Sequence, residues 1–427
     1  MRLFACLLAG FIALLAGPAA AQPQDNYVPD TKTAVSLRKG ADRKPIVAVT
    51  EHKGVFNGEE VSYTATVKEN FLYNDSGEPL AYLTTIAYVR TDFADAASRP
   101  VMFLFNGGPG ASSSPLHMGA FGPKRRGDEG LEDNAFSLLN EVDLVFIDPV
   151  GTGFSRIFDD ADGPQFWGRS ADAKSVKEAI VGWLEENGRM SSPRYLAGQS
   201  YGTIRAPVML KNHPDLTFDG VLLFALVNSA EGLELPFVAA LPTMATTAWH
   251  YEKIKRKGRS VDAVFEEAVE FARTDYLEAL FQGASLPAAQ KKKVAARMSE
   301  LIGLPAALIE EKDLRIDKTT FMFEIIKDRG LRTGLLDTRV TAERDLSKMT
   351  ARDDPALGGG RTRGAGGQRT SLEDYFIDTL KFDTPEKPYH GVNFDVNFVW
   401  DHEGWTDVMP AIGEAMAANK DMRVFWV

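Results

Sequence analysis

Cysteine is nearly absent from this chain. Cys6 is the only one in 427 residues, and it lies in an N-terminal apolar run. A disulfide framework and a zinc site built on thiolates are therefore excluded, and so is a thiol nucleophile once that run is removed. Positive charge is also in short supply. The formal net charge is −11, from 48 Lys and Arg against 59 Asp and Glu. Nucleic acid and anionic lipid both demand a cationic surface, so neither is expected as the main partner. The polar, highly charged profile of disorder is missing too. With 44% hydrophobic and 25% charged side chains, the composition is globular, and the chain is long enough for a large core or a core plus a second domain.

The N-terminus reads as an export signal. Arg2 supplies a short positive region, Leu3 to Gly17 is apolar or small throughout, and Ala19-Ala20-Ala21 offers an A-x-A cleavage site before Gln22-Pro23-Gln24-Asp25. The apolar run is short for a membrane span and no stop-transfer pattern follows it. Residues 1–21 are therefore expected to be a signal peptide cut after Ala21. The mature protein is then periplasmic or secreted, with no stable membrane insertion. Residues 22–43 are polar and read as a mobile lead-in.

Three alternating runs follow, Ile46–Val49, Glu60–Val67 and Leu80–Val89. Turn chemistry at Asn57-Gly58 and Asn74-Asp75-Ser76-Gly77 separates them, so an antiparallel meander is expected. The pattern then changes. Val101–Phe105 and Val142–Ile147 are short and solidly apolar, as expected of strands buried on both faces, and each runs into a glycine-rich loop. Val176, Ala179, Ile180, Trp183 and Leu184 fall at helical spacing, and Arg194–Ala197 and Val221–Val227 read as further buried strands. Strand and helix alternation with loops at strand carboxyl ends predicts an α/β core over 44–235, a mostly parallel sheet with helices on both faces. Residues 236–395 read as a helical insertion, with helices over 242–256, 261–281, 287–301 and 318–329. Its glycine-rich, basic stretch 358–367 reads as a solvated connector, because no buried strand leads into it. A helix over Trp405–Ala418 and a strand from Met422 return to the core at 396–427.

Gly198-Gln199-Ser200-Tyr201-Gly202 is the only G-x-S-x-G in the chain. A strand precedes it and a helix-like segment, Thr203–Lys211, follows. A sharp strand-to-helix turn needs a small residue on each side of the serine, and it lifts the hydroxyl out of the sheet edge at a helix N-terminus. The alternative is a glycine-punctuated turn with a capping serine. Asn106-Gly107-Gly108-Pro109-Gly110 follows the strand Val101–Phe105. Acyl transfer builds negative charge on a carbonyl oxygen, and glycine lets backbone N–H groups approach it closely. The donors in such a site would be the Gly108 and Tyr201 N–H groups.

With Asn106–Gly110 followed by Ala111-Ser112-Ser113, then Asp148-Pro149-Val150-Gly151-Thr152-Gly153-Phe154-Ser155, then Gly198–Gly202, the chain resembles the serine carboxypeptidases, peptidase family S10. The resemblance implies an α/β-hydrolase fold with a helical cap. It implies removal of residues one at a time from peptides with a free C-terminus, through an acyl-enzyme on Ser200, without metal or organic cofactor. The family's carboxylate-binding residues map onto Asn106, Gly107 and Gln199. Gln199 departs from the family, which carries an acid there. Leu104 stands where a tryptophan is usual, Ala120 where a second acid is expected, and Ala111 where a cysteine is common. A structural role is expected for Asp148, which precedes the nucleophile in chain order.

The resemblance also implies an aspartate and then a histidine after Ser200. The histidines after it are His213, His250, His390 and His402, and none stands where the family places its base. The aspartate would follow the strand that starts at Met422, within which the sequence stops. Both triad partners, with a last strand and helix, are therefore expected beyond residue 427, and the chain as given is expected to be nearly inactive. Two other readings stand beside the carboxypeptidase: another α/β-hydrolase (an esterase, amidase or acyltransferase), and a hydrolase-fold binding protein that has lost its base.

Overall fold

The computed structural model describes residues 29–40, 43–127, 130–158, 163–227, 234–348, 354–357, 371–403 and 408–427. The expected signal peptide and the glycine-rich stretch 358–367 lie outside the described residues. The described chain forms two compact units, one of residues 29–231 with 360–427 and one of 232–359.

The first unit is built on one mixed sheet. Its principal strands are β1 (Val47–Phe56), β2 (Glu59–Tyr73), β3 (Pro79–Arg90), β4 (Val101–Phe105), β5 (Asp143–Asp148), β6 (Arg194–Gln199), β7 (Gly220–Phe224) and β8 (Arg423–Trp426). Their spatial order is β1-β2-β3-β5-β4-β6-β7-β8. The first three form the expected antiparallel meander, and β3 also pairs antiparallel with β5. From β5 to β8 every pairing is parallel. At the first hairpin Asn57 and Gly58 both take positive φ, 51° and 86°. That is the two-residue turn whose twist matches the flanking strands, and an asparagine-glycine pair adopts it at low steric cost.

Period-two burial fixes how the sheet packs. Phe103, Phe105, Val145 and Ile147 face one side, with helices α1 (Arg169–Glu186), α2 (Gly202–Asn212) and α3 (Met409–Ala418). There they meet Val176, Ile180 and Leu184 of α1, Met209 of α2 and Ile412 of α3. Met102, Leu104, Leu144 and Phe146 face the other side, where Leu116, Leu372, Tyr375, Phe376, Phe382 and Tyr389 cover them. Strands walled in on both faces cannot afford polar positions, and this explains the unbroken apolar runs.

Two sequence expectations are corrected here. Residues 371–395 were assigned to the helical insertion, yet their aromatic side chains belong to the sheet's second core. The 22–43 lead-in is not mobile over its described part. Thr31–Ala34 forms a 3₁₀ turn with Ala34 fully buried. Ser36 Oγ donates to Glu386 at 2.7 Å, and Arg38 bridges Glu386 and Glu69. The polar residues that suggested mobility are the ones that fasten the segment.

The second unit holds helices Leu235–His250, Val261–Phe271, Ala288–Ile302 and Lys318–Glu324 around Leu241, Ala245, Val264, Ala268, Met298 and Leu301. Ser260 caps the second through the Ala263 N–H at 3.2 Å, and Asp317 caps the last through the Thr320 N–H at 2.8 Å. The helix expected over 318–329 stops at Glu324, and a short hairpin, Leu331–Thr333 with Thr341–Glu343, follows. No helix among the described residues is long and apolar enough to cross a membrane.

Candidate active site

Strands β4 and β6 are parallel neighbours, with Phe105 opposite Gly198. They end side by side, so the Asn106–Gly110 loop and the Gly198–Gly202 turn emerge at the same sheet edge. The next strand of this sheet after β4 is β5, which lies on the far side of β4 from β6. The strand order therefore reverses at this point, and such a reversal opens a crevice at the carboxyl ends of the strands.

Ser200 sits on that edge, exposed, with φ 56°. This left-handed backbone is costly for a residue with a Cβ and persists only where its surroundings impose it. Its N–H donates to the Phe224 carbonyl at 3.0 Å, and its carbonyl accepts from the Thr203 N–H at 2.8 Å and the Thr203 hydroxyl at 2.7 Å. The flanking glycines are required sterically. A Cβ on Gly198 would stand 2.3 Å from the Gly202 oxygen, and one on Gly202 would stand 3.0 Å from the Phe105 oxygen.

The glycine loop presses against this turn. A Cβ on Gly107 would stand 2.2 Å from the Tyr201 nitrogen. Gly108 has φ 101°, a conformation that L side chains rarely adopt. Among the described residues neither the Gly108 nor the Tyr201 N–H donates a hydrogen bond, so both remain able to receive one from a ligand oxygen. Asn106 is held in two directions: its Oδ1 accepts from the Leu116 N–H at 3.1 Å, and its Nδ2 donates to Gln199 Oε1. Using the oxygen of Gln199 in this way leaves its NH₂ group to face a ligand. Leu104 is buried in the sheet core and Ala120 is exposed, so neither adds a polar group to the loop.

One supporting pair carried no sequence signal. Arg205, fully buried on α2, donates to the Asn106 carbonyl and to Asp172 Oδ2, the latter at 2.6 Å. Its guanidinium also lies 5.0 Å over the Phe105 ring and 5.4 Å from that of Tyr201. It thereby ties the base of the glycine loop to the helix that follows Ser200. Burial raises the Asp172 pKa, against the opposing pull of the Arg205 charge. Asp148 is engaged structurally. Its carboxylate accepts from Ser113 N–H and hydroxyl, both at 2.7 Å, and from the Tyr389 hydroxyl at 2.9 Å.

His117 follows the residue that anchors Asn106. It is fully buried, stacked on Phe146 at 4.4 Å, with Nε2 2.7 Å from the Tyr88 hydroxyl and Nδ1 without a partner. Burial depresses its pKa from 6.5 to about 3. The unfolded chain therefore takes up a proton near pH 6.5 that the folded protein refuses until about pH 3. This part of the stability is complete above pH 6.5 and drains away as pH falls toward 3, by on the order of 5 kcal/mol. Urea unfolding between pH 7 and 4 should show His117→Phe losing less stability on acidification than the parent, and equal losses would refute the assignment.

None of the described residues hydrogen-bonds the Ser200 hydroxyl. His213 caps the far end of α2, and the His390 backbone pairs with Gly153. No group of three or more His, Cys, Asp or Glu among the described residues could hold a metal ion.

A mixed, mostly parallel sheet clothed by helices, with a serine on a strained strand-to-helix turn beside a glycine loop, defines an α/β-hydrolase fold. Kex1, a prohormone-processing carboxypeptidase of Saccharomyces cerevisiae, shares this fold at a TM-score of 0.50 and 14% identity, over 85% of this chain and 73% of that one. The serine carboxypeptidase family model (Peptidase_S10) matches residues 87–213, the span holding both loops and Ser200. Over that span, under a third of its length, the chain is similar to the serine carboxypeptidase family. Serine carboxypeptidase-like 36 of Arabidopsis thaliana is 39% identical over 106 residues, 24% of this chain and 22% of the relative. Serine carboxypeptidase-like 21 of the same plant is 29% identical over 140 residues, 29% of this chain and 27% of the relative. The match thus spans about a quarter of the curated relatives' length.

Proposed function

We propose that the protein is a serine-type carboxypeptidase acting through an acyl-enzyme on Ser200. The Ser200 hydroxyl attacks the last peptide carbonyl, and the Gly108 and Tyr201 N–H groups receive the developing oxyanion. Asn106, Gly107 and Gln199 bind the free carboxylate of the peptide. The observation that supports this most directly is the close approach of Gly107 to Tyr201, which sets the glycine loop against the serine turn. The mechanism also needs a histidine held by an aspartate to take the serine proton, and no described residue is assigned to that role. Without such a base, turnover is expected at the residual level that an oxyanion site alone supports. Export rests on the leader sequence alone.

A C-terminal free acid separates this reading from its rival. Calorimetry should detect binding of an N-blocked dipeptide and no binding of its C-terminal amide, and any slow hydrolysis should vanish in Ser200→Ala. Equal binding of acid and amide would instead favour an esterase or amidase, a reading kept alive by Leu104 and Ala120, which add nothing to a carboxylate clamp.

Gln199 gives the proposal a pH signature. A glutamate facing a carboxylate must hold a proton to donate, whereas the glutamine N–H is present at every pH. Binding of the free-acid dipeptide should therefore persist at pH 7. In Gln199→Glu it should be retained near pH 4 and weaken as the new carboxyl ionises. A variant whose binding follows the parent across this range would refute the role of Gln199.

A further inference from the structure

The helical unit contains a cavity of about 480 Å³ lined by Lys253, Lys255, Lys257, Arg259 and Arg297, with Glu267 and Glu300 as its only acids. Five cations converge in a chain whose net charge is −11. Such a concentration of like charge raises the energy of the folded state unless anions compensate it.

The compensation inside the protein is incomplete. Glu267 is shared by the Arg259 and Arg297 guanidinium groups, and Arg297 also pairs with Glu300 at 3.0 Å. Lys253 pairs with Asp328. Lys255 and Lys257 have no ion pair or side-chain hydrogen bond among the described residues, and both are exposed at the rim. Two full charges thus remain uncommitted beside two guanidinium groups that Glu267 and Glu300 engage.

The loop that presents these lysines is built rather than loose. The Trp249 indole N–H donates to the Arg259 carbonyl at 3.0 Å. Arg256 returns two hydrogen bonds to the Trp249 carbonyl, at 3.1 and 2.9 Å, and lies 4.2 Å over its ring. Lys257 itself is held at φ 49°, next to Gly258 at φ 76°. A lysine kept in the left-handed region is strained, and such strain collects at ligand clamps. The restraint fixes the direction of the chain on either side of the two free ammonium groups.

We propose that this cavity binds a phosphate-bearing anion carrying at least two negative charges. A single carboxylate would answer only one of the two free lysines. A phosphoryl group offers several oxygens and multiple charges, matching lysine point charges and arginine forks together. The volume exceeds one phosphate and suits a diphosphate or a phosphorylated headgroup. This site stands independently of the Ser200 chemistry.

The test titrates the full chain with sodium pyrophosphate by calorimetry, and separately measures co-sedimentation with vesicles containing phosphatidic acid, whose phosphomonoester can carry two charges, and with neutral phosphatidylcholine vesicles. Binding of pyrophosphate, or of the anionic vesicles alone, is expected, and it identifies the free or lipid-borne source. K255E/K257E should weaken that binding by at least about tenfold. Its melting curve should match the parent, because both side chains are exposed and unpartnered. No binding to either probe at millimolar phosphate overturns the proposal, and so does a K255E/K257E protein that binds as the parent does.

Discussion

Asp143→Ala should cost about 3–5 kcal/mol of stability, the largest loss expected of any single substitution considered. Asp143 opens β5 with its side chain fully buried. One carboxylate oxygen accepts from Arg99 Nε at 2.8 Å and from the Arg90 N–H at 3.0 Å, and the other accepts from Arg189 at 2.7 Å. Arg99 and Arg189 are only 2% and 3% exposed, so removing the carboxylate strands two guanidinium charges where water cannot reach them. That loss is a large share of a domain's usual stability. Asp143 pairs in register with Val101, at the strand ends away from Ser200. Ligand binding by the surviving folded protein should therefore be unchanged. A loss under about 1 kcal/mol in urea unfolding would show that the two arginines find other partners.

Gly107→Ala should lower the hydrolysis of an activated ester by about 10²–10³-fold, the range seen when an oxyanion donor is lost. An activated ester is the right probe because its leaving group needs no proton, so the serine's own proton, taken up by water or buffer, is the only one that must move. The added methyl would stand 2.2 Å from the Tyr201 nitrogen and 2.7 Å from its Cα, and backbone atoms cannot swing aside, so the loop and the serine turn must separate. Gly119→Ala is the control: its Cβ would meet nothing within 4 Å. Equal rates for the two variants would remove the glycine loop from the mechanism.

The strands β4 and β5 and the two glycine motifs were legible in the sequence because burial on both faces and close backbone approach leave little choice of residue. The meander was legible through alternation and Asn57-Gly58. Residues 371–395 were not. Their aromatic residues, Tyr375, Phe376, Phe382 and Tyr389, come in short irregular pieces after a run of helices, and nothing local says which core they enter. The fastening of Ser36 and Arg38 was equally hidden, since Glu386 is some 350 positions away. Arg205 reads as an ordinary helix cation until its partners, Asp172 and the Asn106 carbonyl, are brought to it.

Asn106 and Gln199 are 93 residues apart in the chain. Their meeting depends on β6 pairing with β4, whose other flank is taken by β5, the strand that lies between them in the chain. Contacts of such long range form slowly, because a large loop must close before any pairing rewards it. A nascent or partly unfolded polypeptide therefore holds the serine turn and the glycine loop in separate places. The serine turn and the glycine loop would meet only on completion of the tertiary structure, so the crevice at the strand ends is a late product of folding.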